Sequence, residues 1–309
     1  MKNKFIRNLV LCLTLIMVTV SFSGCSSSTN PTSSGADTVA KIGDADKKAI
    51  LVVSFGTSYN ETRAKTIDAI EEKVKNTYSD DYDVRRAFTS QIIIDKLKSR
   101  DGLEINNVDQ AMQSFVNEGF GTLYIQPTHV MNGEEYDELC AAVEPYIQNF
   151  ETIRIGKPLL TSTEDYEELV NIIKEETKEL NEEGTAVVFM GHGTSHFANA
   201  TYACLDYHMK HEISENYFVG TVEGYPTITE VIGDVEKQGA TKVTLLPFMI
   251  VSGDHANNDM AGDEEDSWKT QFKQAGYEVD AVLKGLGEYE GVQNMVVEHL
   301  QAAIDGPVE

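Results

Sequence analysis

Apolar residues fall into two spacings along this chain. In one, β-branched and aromatic residues run consecutively and stop at glycine, as in Ala49-Ile50-Leu51-Val52-Val53-Ser54-Phe55 and Val187-Val188-Phe189-Met190. Such runs predict strands buried on both faces. In the other, apolar residues recur every three or four positions, as at Ile67, Ile70 and Val74, the mark of an amphipathic helix. Strands are expected at 49–55, 82–88, 122–126, 186–190, 217–222, 242–250 and 278–283. The third stops at Pro127, which has no amide hydrogen to continue a ladder. Helices are expected after Asn60 and Thr62, from Thr89 or Ser90, and over 108–117, 134–147, 199–210, 227–238, 267–274 and 291–304. Strands alternating with helices require parallel crossovers, hence an α/β fold with helices on both sheet faces.

The pattern also repeats. Ser54-Phe55-Gly56-Thr57-Ser58 aligns with Gly191-His192-Gly193-Thr194-Ser195, and Pro127 to Glu135 aligns with Pro247 to His255, with proline and glycine at the same separation. Two similar α/β lobes, 49–157 and 158–309, are expected, joined near Gly156-Lys157-Pro158 with a cleft between them. In this alignment Phe55 stands where His192 stands, and Glu135 where His255 stands.

Composition changes the picture at the ends and on the surface. Of 309 residues, 41% are hydrophobic and 24% charged, enough for one large core or two smaller ones. With 50 acidic against 25 basic residues the net charge is −25, which repels nucleic acid and excludes it as a partner. Lys2, Lys4 and Arg7 precede an apolar run from Leu9 to Val20 and then Ser21-Phe22-Ser23-Gly24-Cys25. That is the layout of a secretory signal over 1–24. The cysteine after Ser-Gly resembles the lipobox of bacterial lipoproteins, although Phe22 stands where leucine is usual. Residues 25–48, rich in Ser, Thr, Gly and Asp, read as a flexible tether. The expectation is an exported protein anchored to the membrane through lipidated Cys25; the alternative, an uncleaved anchor, also places the folded part outside the cytoplasm. Cys140 and Cys204 read as small buried residues, with a disulfide between them left open.

Three strand ends of the second half carry groups able to bind a metal: His192, Glu223 and His255. Parallel strands end on one edge of a sheet, so these side chains can meet although distant in sequence. Two imidazoles and a carboxylate suit a borderline divalent ion and leave positions open for a substrate. A histidine flanked by glycines also fits a simple turn cap. Arg63, Arg85 and Arg86 are scarce cations suited to carboxylate ligands, or else ordinary surface charge. His129 reads as a packing residue and His196 as a neighbour of His192, while His208, His211 and His299 read as solvent-facing. No phosphate-binding glycine loop or Ser-His-Asp arrangement occurs in a supporting context, so no nucleotide is expected.

Met190-Gly191-His192-Gly193-Thr194, Val222-Glu223-Gly224-Tyr225-Pro226 and Gly253-Asp254-His255-Ala256-Asn257 resemble the anaerobic cobalt chelatase family of cobalamin biosynthesis. So do Ser54 to Ser58 with Arg63, Arg86 to Ser90, and Pro127 to Val130 with Gly133 to Tyr136, in family order from Ile50 to the last helix. The resemblance implies a class II chelatase fold and insertion of Co(II) into sirohydrochlorin or its precursor-level form without ATP, with nickel or iron as alternative metals. It implies His192, Glu223 and His255 as metal ligands, with His192 and His255 catalytic. Arg63, Arg86, Phe55, Thr57 and Tyr225 are then expected to hold the tetrapyrrole. Export strains this reading, since cobalamin synthesis is cytoplasmic; a surface-anchored metal or tetrapyrrole (haem) binding protein using the same cleft is the alternative. A homo-oligomer is compatible with either.

Overall fold

The computed structural model describes residues 41–306. The expectations for the signal segment, Cys25 and most of the tether lie outside the described residues. Eight strands form two four-stranded sheets. The first contains β1 (Asp44–Ser54), β2 (Asp83–Phe88), β3 (Phe120–Pro127) and β4 (Thr152–Ile155), in the order β2-β1-β3-β4. The second contains β5 (Thr185–Gly191), β6 (Tyr217–Thr221), β7 (Lys242–Phe248) and β8 (Glu278–Ala281), in the order β6-β5-β7-β8. Every pairing is parallel.

The registers reproduce the internal repeat. Val53 lies opposite Pro127 in the first sheet, and Met190 opposite Pro247 in the second. Ser54 pairs with Phe88, and Gly191 with Thr221. Counting on from these pairs, Phe55, Ser90 and Glu135 occupy the places that His192, Glu223 and His255 hold in the second lobe.

Alternation along the strands fills both faces of each sheet. Val187, Phe189, Tyr217, Val219, Leu246 and Phe248 pack on one face of the second sheet, with Val188, Met190, Phe218, Val243 and Leu245 on the other. Strands buried on both sides have no polar face, which is why these segments read as unbroken apolar runs.

Several elements differ from expectation. β1 begins at Asp44, so the last residues read as tether pair with the start of β3. The short strand β4 and the helix α6 (Thr163–Glu176) did not stand out in the sequence. α6 starts at a capping box of Ser162 and Asp165 and buries Leu169, Val170 and Ile173. The last helix, α10 (Glu290–Asp305), is shared between lobes. Val292 and Met295 join the second lobe's core, whereas Leu300 packs with Ile50, Val52 and Tyr124 of the first sheet. Arg154 of β4 donates to the carbonyls of Ala303 and Ile304, tying down the helix end.

Cys140 and Cys204 are free thiols, and Cys204 is exposed rather than buried. His299 is turned inward to Asp165 at 3.0 Å, and His208 pairs with Glu212 within one turn of α7 (Ala200–Glu212). His208 and His299 are half-buried, so only His211 keeps the exposed position expected of all three.

Candidate metal centre

β5 delivers His192 one residue beyond its last ladder pair, and the chain turns there through Gly193 at φ +84°. A Cβ on Gly193 would lie 2.4 Å from the backbone nitrogen of Gly224, so the β5 and β6 loops can approach only with hydrogen at this position. The approach is held by the amide of Glu223 donating to the carbonyl of His192 at 2.8 Å. Asn199 pins the same two loops, accepting from the amide of Thr194 and donating to the carbonyl of Tyr225. The amide of Gly193 donates to the Tyr202 hydroxyl at 3.1 Å. His255 sits on the turn after β7, just before a π-helical turn at Ala256–Met260, an irregularity frequent at functional sites.

These loops bring His192, Glu223 and His255 together, with one nitrogen or oxygen of each within 4.8 Å of the others. The two imidazoles meet edge to face with ring centroids 4.7 Å apart, and Nε2 of His192 lies 4.0 Å from Oε2 of Glu223. Ligand bonds of about 2.1 Å would place opposed donors about 4.2 Å apart, so a small inward rotation of exposed side chains suffices to close on an ion. Nδ1 of His192 faces the carbonyl of Gly193 at 2.8 Å, and Nδ1 of His255 faces Oδ2 of Asp259 at 2.7 Å. Each Nδ1 is therefore the protonated nitrogen, which leaves both Nε2 lone pairs free. The same nitrogen is thus available on both rings, but only His255 has a carboxylate behind it.

The opposing lobe brings up Glu135, expected only as the counterpart of His255, and His129, expected as a packing residue. Desolvation pushes the Glu135 carboxyl up from its usual range although the residue lies at the surface, and His192 offsets part of the shift. His129 is 6% exposed, and neither ring nitrogen has a hydrogen-bond partner among the described residues. Its closest charge is Glu135, 3.8 Å from Nε2, and burial holds its pKa down to about 4. His196 caps the turn at Phe197–Asn199 through Nδ1 and reaches Asp137 of α5 (Glu134–Val143) at 3.5 Å, linking the lobes rather than supporting His192.

The residues expected to hold a tetrapyrrole divide. Phe55 and Tyr225 are exposed, as is Phe197, whereas Thr57 is buried and its hydroxyl accepts from the amide of Tyr59. Arg63 is 8% exposed and donates to Asn60 of its own helix α1 (Asn60–Lys65). Arg86 donates to Glu71 and Asp68 of α2 (Ile67–Tyr78), which hold it charged against the cost of burial. Arg85 donates to Asp83 and to both oxygens of Glu118. In so acidic a chain the nearest carboxylates are internal: Arg85 and Arg86 are taken up by them, while Arg63 bonds Asn60 and lies 3.9 Å from Asp68.

The family model for the cobalt chelatase CbiK matches residues 48–305. The chain is 43% identical to the sirohydrochlorin cobaltochelatase of Salmonella typhimurium over 266 residues, which cover 85% of this chain and 98% of that protein. It is 32% identical to the sirohydrochlorin cobaltochelatase CbiKC of Nitratidesulfovibrio vulgaris, over 84% of this chain and 91% of that one. Among solved structures, SirB from Bacillus subtilis with Fe3+ superposes with a TM-score of 0.57 at 16% identity, covering 82% of this chain and 94% of SirB. CbiX, described as the terminal enzyme for siroheme biosynthesis in denitrifying bacteria, gives 0.50 at 17% identity over 83% of this chain and 99% of its own. Those two likenesses bear on the fold, which is that of the class II chelatases. Sequence identity carried across both lobes goes further: this chain belongs to the cobalt chelatase (CbiK) family.

Proposed function

We propose that this protein is a sirohydrochlorin cobaltochelatase that inserts Co(II) into the tetrapyrrole without a nucleotide. The observation that carries the reading is the convergence of His192, Glu223 and His255 within 4.8 Å at the open edge of the second sheet. Metalation must strip water from the ion, hold it against one face of the macrocycle and remove two pyrrole protons. In this reading the three side chains take Co(II) as substrate, and exchange of their bonds for pyrrole nitrogens releases it. His192 serves as ligand and proton acceptor, while His255 and Glu223 serve as ligands. Glu135, whose carboxyl desolvation raises from its usual range, is suited to take a proton onward. Exposed Phe55 and Tyr225 offer apolar walls for a planar ring. Imidazole and carboxylate donors distinguish poorly among cobalt, nickel and iron, so all three ions fit the same set.

The test is anaerobic mixing of residues 41–309 with sirohydrochlorin and Co(II), followed by visible absorbance, beside His192→Ala and His255→Ala. A rate far above the protein-free reaction, lost in both variants, is expected. Tight tetrapyrrole or metal binding with no gain in rate would instead assign capture, the reading that an exported protein favours. Export itself rests on the basic, apolar and small-residue succession ending at Cys25. Cys25→Ser is expected to release the protein from the membrane fraction; unchanged fractionation would reject the lipid anchor.

A further inference from the structure

A cavity of about 620 Å³ opens between the lobes beside the candidate centre. The first lobe lines it with Lys65 of α1 and with Lys96 and Arg100 of α3 (Gln91–Asp101); the second lines it with Ser252 and Asn257. Ser252 and Asn257 flank His255 in sequence, and the Tyr59 hydroxyl donates to Asp254 at 3.1 Å. The cavity wall therefore runs directly into the turn that carries His255. A macrocycle centred on the metal ligands would lay its rim, not its centre, over this opening.

Its chemistry runs against that of the whole molecule. In a chain of net charge −25, three cations line this cavity against two acids, Glu61 and Glu288, with Asp101 paired to Arg100 beside it. Among the described residues neither Lys65 nor Lys96 makes an ion pair, in contrast to Arg85 and Arg86. Arg100 is fixed through Nε and Nη2 by Asp101 and Asn60, which leaves Nη1 without a partner among the described residues. Ser252 is 4% exposed, and its hydroxyl also lacks a partner there. An unpartnered buried donor beside two unpaired lysines and a free guanidinium nitrogen is what a site for an anion presents before it is filled.

We propose that this cavity receives the rim carboxylates of the tetrapyrrole, with Lys96 and Arg100 as the groups that select a polycarboxylate ring. The assignment rests on the tetrapyrrole reading above and adds to it the residues that choose the substrate. Acetate and propionate chains fit a volume larger than a single carboxylate needs, and guanidinium and ammonium donors bind them by charge-assisted hydrogen bonds.

The test uses the full chain in detergent, titrated without cobalt with metal-free sirohydrochlorin, with uroporphyrin as a second polycarboxylate ring, and with a dicarboxylic porphyrin. The Lys96→Gln/Arg100→Gln double variant is expected to bind both polycarboxylate rings about 30-fold more weakly, with Co(II) affinity unchanged and kcat at saturation within about twofold. Its preference for polycarboxylate over dicarboxylic rings should vanish, and Lys96→Arg/Arg100→Lys should restore most of it. Binding of both polycarboxylate rings within about twofold of wild type would overturn the assignment, as would an equal loss for the dicarboxylic ring. If the double variant also loses Co(II) affinity, Lys96→Gln alone decides by the same criteria. Uroporphyrin binding that depends on Lys96 and Arg100, without cobalt insertion into sirohydrochlorin, would sink the chelatase reading and keep the site. Insertion unaffected by the substitutions would do the reverse.

Discussion

At the end of β1 the chain places Phe55, and at the matching end of β5 it places His192. Ser90 stands opposite Glu223 in the same comparison, and Glu135 opposite His255, with ladder registers that agree residue for residue. One lobe thus carries two imidazoles and a carboxylate, and the other carries an aromatic ring, a hydroxyl and a single acid raised in pKa. A planar substrate explains why the asymmetry is useful. A metal delivered from one face needs ligands on that face alone, and a second set opposite would hold the ion after insertion. The repeat supplies a rigid frame twice, and the chemistry is written into one copy.

Imposing the first lobe's residue on the second is the harshest test of this contrast. His192→Phe is expected to lower kcat for cobalt insertion by about 10³-fold with the fold intact, read by anaerobic absorbance and circular dichroism. A loss below tenfold would mean that the imidazole is not needed. The reverse exchange, Phe55→His, should not rescue it.

Arg86 separates structure from substrate binding within the first lobe. Arg86→Ala strands Glu71, which is buried, without its partner, at an expected cost of about 3 kcal/mol in denaturant unfolding. If Arg86 instead served the substrate, KM would rise and stability would hold.

Asp259 tests what stands behind the metal ligands. Asp259→Ala removes the acceptor that fixes the tautomer of His255 and should weaken Co(II) binding by about 10–100-fold, measured by titration. Asp259→Asn keeps an acceptor oxygen and should recover part of that loss. Equal affinity in wild type and Ala variant would free His255 from this support.

The two turn glycines give a finer comparison. Gly56 and Gly193 both have positive φ, but an added methyl meets the Phe88 side chain in the first lobe and the Gly224 backbone in the second. A side chain can move and a backbone cannot, so Gly193→Ala is expected to cost about 2 kcal/mol more than Gly56→Ala. Equal costs would show that the β6 loop yields.

The last contrast depends on pH. His129 is neutral in the folded state down to about 4, against an ordinary value of 6.5, so the unfolded chain binds its proton first. Stability is then full above pH 6.5 and falls as the pH drops toward 4, by about 2 kcal/mol at pH 5 relative to pH 7.5. His129→Phe should remove this slope, and unfolding curves at the two pH values would reveal an unchanged slope if His129 were not its source.

Much of this was legible in the chain. Doubly buried strands show as unbroken apolar runs, and the glycine-flanked His192 marks a strand end. The repeat of Pro127 and Pro247 even set the register between lobes. β4 was missed because its four residues are only half buried and carry no long apolar run. The pattern also gave no warning that α10 would divide its apolar stripe between two cores.

The sequence by itself determined the α/β succession, the repeat and the three strand ends that carry His192, Glu223 and His255, because strand and helix periods and glycine turns are local properties. Only the tertiary structure decided which nitrogen of each histidine is free and which arginines are already paired. It also decided that Lys96 and Arg100 line one cavity with Ser252 of the other lobe. Those outcomes depend on partners distant in the chain, and in a molecule this acidic it is the nearest carboxylate in space that settles what each cation can do.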